Sequence, residues 1–328
     1  MKLSVAIATY NRGAMVREAL EAALDQSYAP DEIVVADDAS TDTTWAVLND
    51  ISSLEPRVRI FERERNSAGV ENWSFAIEQT HGDYIAWCSD DDHFTPGHLK
   101  ASVEYLETHP EVGLVHSGFI DCIETASGAT TVRRPLRFPH TQIVTTEDLV
   151  WYMTRYYDWP FHPSTLVFRR IVWERVGPFN SDYALADTDW FVRAVEQFPA
   201  AMLARHGVCN RRHPGNWSNR LGSARMQREI FKIVERAIER RWWESTLTRR
   251  AWKALWRANV RMRLLLTLGA RLKSRHADAA GAAWKMLTSG TGRKLPEPIG
   301  RTGRTLIRWW CGRRKPGFEG AGRRVSPL

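Results

Sequence analysis

The sequence predicts an α/β protein with a mostly parallel central sheet flanked by helices, followed by a C-terminal basic helical extension. Three observations predict it. Short apolar runs with no polar face alternate with stretches of helical periodicity, the pattern of parallel strands covered on both sides. Two of those runs end in acidic clusters, and open α/β sheets place ligands at the carboxyl ends of their strands. Charge is also divided by position: residues 1–239 hold 24 Lys/Arg against 34 Asp/Glu, whereas residues 240–328 hold 22 against 4. An acidic body precedes an arginine-rich tail, and the net +8 of the 328-residue chain describes neither.

The elements follow in order. Residues 3–9 mix β-branched and apolar side chains and are broken by Asn11-Arg12-Gly13. Met15, Ala19, Ala22 and Ala23 then recur at helical spacing, up to Tyr28-Ala29-Pro30. Residues 33–36 form a continuous apolar strand stopped by Asp37-Asp38, and Ser40-Thr41-Asp42 can cap a helix bearing Trp45, Val47 and Leu48. Residues 58–61 make a third strand, 69–80 a helix with Trp73, Ala76 and Ile77 on one face, and 84–88 a fourth strand ending in Ser89-Asp90-Asp91-Asp92. Beyond this the pattern is less regular: a helix over 96–108, a strand over 113–119, a loop-rich insertion over 120–139, and a capped helix over 146–152. A strand over 165–168, the turn Gly177-Pro178-Phe179, a helix over 187–198 and a loop over 211–219 complete the body.

Composition bounds the function classes. With 43% apolar and 11% aromatic residues the chain can bury a core and is not disordered across most of its length. Four cysteines (Cys88, Cys122, Cys209, Cys311) lie far apart without a CxxC pair, so a disulfide scaffold and a structural zinc site are not expected. The first apolar run leads into Tyr10-Asn11-Arg12 rather than a cleavage site, and no stretch approaches the roughly 20 apolar residues that span a bilayer. The expected location is the cytoplasm.

Three adjacent carboxylates, Asp90-Asp91-Asp92, repel one another unless a cation or an array of donors lies among them. Oxygen ligands suit Mg²⁺ or Mn²⁺, which are often shared with substrate phosphates. A solvated acidic turn is the plainer explanation. Asp37-Asp38 also follows an apolar strand, and in a parallel sheet both clusters fall along one edge, where one can hold a metal and diphosphate and the other a base or ribose.

Residues 4–12 (Ser-Val-Ala-Ile-Ala-Thr-Tyr-Asn-Arg), Gln26-Ser27-Tyr28, residues 32–42, Arg65-Asn66 with Gly69, and residues 82–92 together resemble the family 2 glycosyltransferases of bacterial cell-surface glycan synthesis. The likeness covers roughly residues 3–220. It implies a GT-A fold, a nucleoside-diphosphate sugar donor (a UDP-sugar favoured) and inverting, metal-dependent transfer to a hydroxyl of a glycan or lipid-linked acceptor. Carried over position by position, it implies that Ala8, Thr9, Tyr10, Arg12, Asp37, Asp38, Asn66 and Asp90 bind the nucleotide, with Asp38 the preferred acceptor. It implies Mn²⁺ or Mg²⁺ at Asp91, with Asp92 and His213; the register, Asp90-x-Asp92 or Ser89-x-Asp91, stays open. The family's acceptor-side Glu-Asp pair is Ala186-Asp187 here, so Asp187 is the implied general base with Asp189 in reserve. A helix N-cap is the structural alternative for Asp187. Residues 211–219 resemble the family's flexible loop, from which His213 contacts metal or phosphate while Arg211 or Arg212 offsets leaving-group charge.

The expected division is a glycosyltransferase domain over 1–228, with a nucleotide half to about 95 and an acceptor half beyond it. A basic amphipathic helical region over 229–287 and a Gly/Pro/Arg-rich, partly disordered tail over 288–328 follow. In the helical region Trp243, Leu247 and Leu255 share one face, with Trp252 and Trp256 beside it and Arg250, Arg257 and Arg261 toward another. That pattern suits an anionic membrane surface, making the protein peripheral on the inner face of the cytoplasmic membrane; a helix packed on the body is the alternative. Two competing functions are weaker. A nucleic-acid binder acting through the Arg/Trp tail leaves the carboxylates of an acidic body unused, so no nucleic acid is expected. A sugar-nucleotide nucleotidyltransferase needs a richer Gly and Lys/Arg loop than Tyr10-Asn11-Arg12-Gly13.

Overall fold

In the computed structural model, the described residues are 1–216 and 223–240, apart from 68, 126–127, 134–135, 137, 147 and 150–160. The chain divides into two compact units, residues 1–149 with 159–233 and 322–328, and residues 150–158 with 234–321. The first unit holds the sheet.

Its N-terminal half alternates strand and helix: β1 (Leu3–Thr9), α1 (Gly13–Leu24), β2 (Glu32–Asp37), α2 (Thr44–Leu54), β3 (Val58–Glu62), α3 (Val70–Glu78) and β4 (Tyr84–Ser89). Strands β3, β2, β1 and β4 lie side by side and parallel. Leu3, Val5 and Ile7 of β1 are fully buried, as are Ile33 and Val35 of β2, because helices cover both faces. Turn chemistry is as the residues suggest: Asp42 Oδ1 accepts from the Thr44 amide at 2.8 Å at the head of α2.

The rest of the sheet is mixed. After β5 (His93–Phe94) and α4 (His98–Thr108) come β6 (Leu114–Thr125), β7 (Gly128–Arg133), β8 (Gln142–Val144), β9 (Val167–Arg169), α5 (Arg170–Val176), α6 (Ala186–Val195), β10 (Ala200–Arg212) and α7 (Ser223–Arg240). The main path runs β3-β2-β1-β4-β9-β6-β10-β5, with β7 on β6 and β8 on β10. Strand β9 is antiparallel to β4 and to β6, so it joins the parallel half to the β6–β10 parallel pair.

Four expectations are corrected. The loop-rich insertion over 120–139 contains a β-hairpin, β6 running on to Thr125 and pairing antiparallel with β7. Asp121 and Glu124 fall three residues apart and Thr130-Thr131 are adjacent, so no period-two alternation marks these strands in the sequence. Strand β10 continues through Arg211 and Arg212, which begin no loop. Cys122 and Cys209 are bonded, with Cα atoms 5.8 Å apart; 87 residues separate them in sequence, and only the β6–β10 pairing makes them neighbours. Cys88 is free and buried. Helix α7 begins at Ser223, across the expected boundary at 228.

Part of the 146–152 helix, Trp217-Ser218-Asn219, and every expectation for the tail beyond Arg240 lie outside the described residues. Among the described residues no helix is long and apolar enough to cross a membrane.

Candidate functional site

The parallel register brings the acidic clusters to one edge: Thr9 at the end of β1 lies opposite Asp37 of β2, and Ala8 lies opposite Ser89 of β4. The segments after β2 and β4 therefore flank the end of β1. A cavity of about 460 Å³ opens there, bordered by Ala8, Thr9, Tyr10, Arg12, Asp38, Asn66 and Asp90 together with Trp73, Trp87 and Asp91. Its volume suits a small-molecule ligand. Gly69 borders it with φ +99°, a left-handed conformation that a glycine adopts without strain as α3 begins.

Asp38 and Asp37 part company. Asp38 faces the cavity, and its oxygens accept from the Ser67 amide, both at 3.0 Å, and from Ser67 Oγ at 2.8 Å. Asp37 is fully buried and holds the turn after β2 by accepting from the Ser40 amide and hydroxyl. Burial pushes its carboxyl above the usual range, and it does not border the cavity. Asn11, at φ 52°, ties this turn to the one after β1: its Oδ1 accepts from the Thr41 amide at 2.7 Å, and its own amide donates to Ser40 Oγ at 2.8 Å.

Arg12 is the cation of the site. Its Nη1 lies 2.6 Å from Asp90 Oδ1 and 2.7 Å from Asp91 Oδ2, and its Nη2 donates to the Gly215 carbonyl at 3.1 Å. Burial works to lower the guanidinium's pKa, and the fields of Asp90 and Asp91 outweigh it and raise the value. Asp90 is buried, and desolvation lifts its carboxyl to about 6 against the pull of Arg12. Asp91 Oδ2 also collects His213 Nε2 at 3.2 Å and the Asn216 amide at 3.2 Å. One carboxylate oxygen thus gathers a guanidinium, an imidazole and an amide, and its neighbours Asp90 and Asp92 are held above the usual carboxylate range. This oxygen-rich set is short of positive charge, and its chemistry fits a hard divalent cation.

Asp92 faces the other way. It is 2% exposed, accepts from Ser164 Oγ at 2.5 Å and the Arg211 amide at 3.2 Å, and lies 3.4 Å from His162 Nδ1. It borders a second cavity of about 240 Å³, whose wall includes Asp187, His162, Asn210, Arg212, Met226 and Ile230. Trp73, Trp87, Ser89 and Asp91 border both cavities. The two tryptophans pack at 5.3 Å between ring centroids, and Phe179 lies 4.6 Å from Trp87.

Asp187 is the second residue of α6, whose N-cap is Leu185, so it does not cap the helix. Burial raises its carboxyl above the usual value, moderated by the Thr188 amide and by His162. Asp189, two positions on, points to a different side of the helix and pairs with Arg193 Nε at 2.8 Å, away from both cavities. The Leu185 amide donates to Glu229 of α7 at 2.8 Å, which anchors the start of α6. Asp121 is buried and accepts from Asn210 at 2.8 Å and from Arg212 Nε at 3.0 Å, fixing Arg212 at the cavity wall.

The structure therefore brings Ala8, Thr9, Tyr10, Arg12, Asp38, Asn66, Asp90, Asp91 and His213 together around the first cavity and its rim. It puts Asp92 with Asp187 on the second, and Asp37 and Asp189 in neither. Sequence reasoning missed Trp73 and Trp87 as the shared wall, Asn216 as a partner of Asp91, and the Arg12 bridge. His162 also borders the second cavity, and desolvation brings its imidazole down to about 4.

Comparisons with known proteins bear on this geometry. The glycosyl transferase family 2 profile matches residues 4–159. The glycosyltransferase YwdF of Bacillus subtilis (strain 168) is 30% identical over 203 residues, 60% of this chain and 69% of that one. Among solved structures, the S. aureus TarS 1-349 fragment in complex with UDP-GlcNAc superposes with a TM-score of 0.64 at 18% identity, covering 94% of this chain and 87% of that one. The mannosyltransferase PcManGT of Pyrobaculum calidifontis, solved with GDP-Man and Mn²⁺, gives 0.55 at 18% identity over 94% and 80%. At that identity the likeness is one of fold.

Proposed function

Because the chain belongs to glycosyl transferase family 2 and is a GT-A-type transferase, we propose that it moves a sugar from a nucleoside-diphosphate sugar, a UDP-sugar favoured, to a hydroxyl of a glycan or lipid-linked saccharide, with inversion. The observation that supports this most is the shared wall: Asp91 borders both cavities, and Asp187 borders only the second. A sugar diphosphate anchored near Asp91 directs its anomeric carbon toward Asp187. Fold neighbours solved with UDP-GlcNAc or GDP-Man support the donor class.

In this reading Asp38 accepts hydrogen bonds from the ribose or base, and the exposed Tyr10 ring offers the base a stacking face. Arg12 leaves its carboxylates in part to meet phosphate oxygens. Mn²⁺ or Mg²⁺ would be held by Asp91 with His213, and supplies charge stabilisation to the departing diphosphate when bound. Asp187, its carboxyl raised toward neutrality by burial, takes the proton from the acceptor hydroxyl as that oxygen attacks from the face opposite the diphosphate. His162, kept neutral by desolvation, lies with its Nδ1 3.4 Å from Asp92 on the cavity wall that it shares with Asp187. The Trp73–Trp87 wall gives the sugars an apolar face to lie on. The basic tail supports peripheral attachment to an anionic membrane, which suits a lipid-linked acceptor.

The test is transfer itself. The protein is incubated with a panel of nucleoside-diphosphate sugars, lipid-linked acceptors and Mn²⁺, and product and released nucleoside diphosphate are measured by mass spectrometry. Transfer by the native protein and not by Asp187→Asn is expected; equal transfer by both removes Asp187 as the base.

A further inference from the structure

Behind the site lies a group of side chains that the transfer chemistry does not use. Strand β5 is antiparallel to β10 with His93 opposite Cys209, and β6 is parallel to β10 with Cys122 opposite Arg211, two residues along. Alternation along each strand therefore puts His93, Cys122 and Cys209 on one face of the sheet. Their sequence neighbours Asp92, Asp121 and Asn210 make up the acceptor-side network on the other. The His93 ring nitrogen and the two sulfurs all lie within 4.8 Å of one another. Cys209 is 1% exposed.

We propose that, once the Cys122–Cys209 bond is reduced, the two thiolates and the His93 imidazole hold a thiophilic divalent cation of the zinc class. The donors decide the class. Two sulfurs and an imidazole are soft to borderline ligands that select zinc, whereas the carboxylates around Asp91 select hard cations, so the two faces of the sheet separate two metal chemistries. The spacing agrees: with Zn–S about 2.3 Å and Zn–N about 2.0 Å, ligands around a tetrahedral zinc stand about 3.3–3.8 Å apart, within reach of side-chain rotation from the observed positions. A disulfide makes no use of an imidazole, but a metal does. The nearest helix contributes Glu18, which Arg211 already pairs, so the fourth position is left to water.

The chemistry balances. A phosphine reductant takes the disulfide and one water to two thiols and a phosphine oxide; binding of the cation then displaces both thiol protons. The bound ion ties together three strands distant in sequence, whose neighbouring residues are Asp92, Asp121 and Asn210, and so holds the acceptor-side wall in register.

The full-length protein, reduced with a phosphine, stripped of metal and kept anaerobic, is titrated with Co²⁺ as the probe. The expected result is a thiolate-to-cobalt charge-transfer band that saturates at one ion per chain and is bleached by Zn²⁺. Asp91→Ala keeps the band, which separates this site from the carboxylates of the donor site and from the transferase reading. Cys209→Ser loses it. His93→Gln leaves both sulfurs in place and weakens Co²⁺ binding at least tenfold. A reduced protein with native circular dichroism and no charge-transfer band overturns the proposal, as does His93→Gln binding Co²⁺ with unchanged affinity or a sulfur pair that the reductant does not open.

Discussion

Arg12→Met tests how the acidic edge of the sheet is held together. Arg12 bridges Asp90 and Asp91 at 2.6 and 2.7 Å, and the side chains are 21% (Arg12), 9% (Asp90) and 11% (Asp91) exposed. Removing one partner of a fully buried pair costs about 3–5 kcal/mol, because the remaining charge is left uncompensated. Partial exposure of the guanidinium brings the expected loss to about 2–3 kcal/mol at pH 7.5, a fall in Tm of about 5–10 °C for a body of this size. The loss is pH-dependent. Asp90's carboxyl is raised to about 6 by burial, so the folded form holds that proton more tightly than the unfolded chain. Its ionisation therefore costs stability as pH rises from about 4 through about 6, and removing Arg12 enlarges that cost. Urea denaturation at pH 7.5 and pH 5 reads the difference. The loss should fall by about half at pH 5, where Asp90 takes up its proton. A loss below about 0.5 kcal/mol, or one equal at both pH values, refutes the counter-ion role of Arg12.

Three further outcomes follow from the same structure. If Asp187 is the general base proposed above, Asp187→Asn should lower kcat by about 10²–10⁴-fold with little change in nucleoside-diphosphate affinity, since a general base contributes on that scale; steady-state kinetics beside calorimetry separates the two effects. Glu32 resists its burial through bonds from Ser4 Oγ, the His81 amide and Arg59, which bring its carboxyl down to about 2. Its contribution is present above pH 4.5 and is lost as pH falls toward 2, so Glu32→Gln should cost about 2 kcal/mol at pH 7 and progressively less below pH 4.5 by urea denaturation. His98 is fully buried with both ring nitrogens unpartnered, and burial holds its pKa down at about 3. Stability from its neutral form is present above pH 6.5 and declines by about 1.4 kcal/mol per unit as pH falls toward 3; His98→Leu should flatten the stability–pH slope between pH 6 and 4 by one proton.

What was legible in the sequence follows from how local each signal is. The run from β1 to β4 was readable element by element, because buried parallel strands are continuous apolar runs and their turns are marked by Asn11, Asp42 and Pro30. The same runs delivered the acidic ends that became the first cavity. Strands β6, β7 and β10 were misread or missed, because their polar residues are paired across the sheet: Asp121 with Asn210 and Arg212 is a long-range network with no local periodicity. The Cys122–Cys209 bond and the Arg12 bridge were hidden for the same reason, joining residues about 80 positions apart. Asp37 and Asp38 were both expected at the nucleotide, with Asp38 preferred; strand alternation sends Asp37 into the core turn and Asp38 to the cavity. Asp189 looked like a second base, yet a step of two on a helix points it elsewhere, onto Arg193.

The central claim is that the acidic edge of the parallel sheet is a donor site for a nucleoside diphosphate. The most direct measurement is calorimetric binding of UDP, GDP, dTDP and CDP to the full chain, with and without Mn²⁺, repeated on Asp91→Ala. The expected result is preferential binding of one diphosphate, strengthened by Mn²⁺ in the native protein and lost in the variant. Folded protein that binds none of the four in the presence of Mn²⁺ contradicts the account.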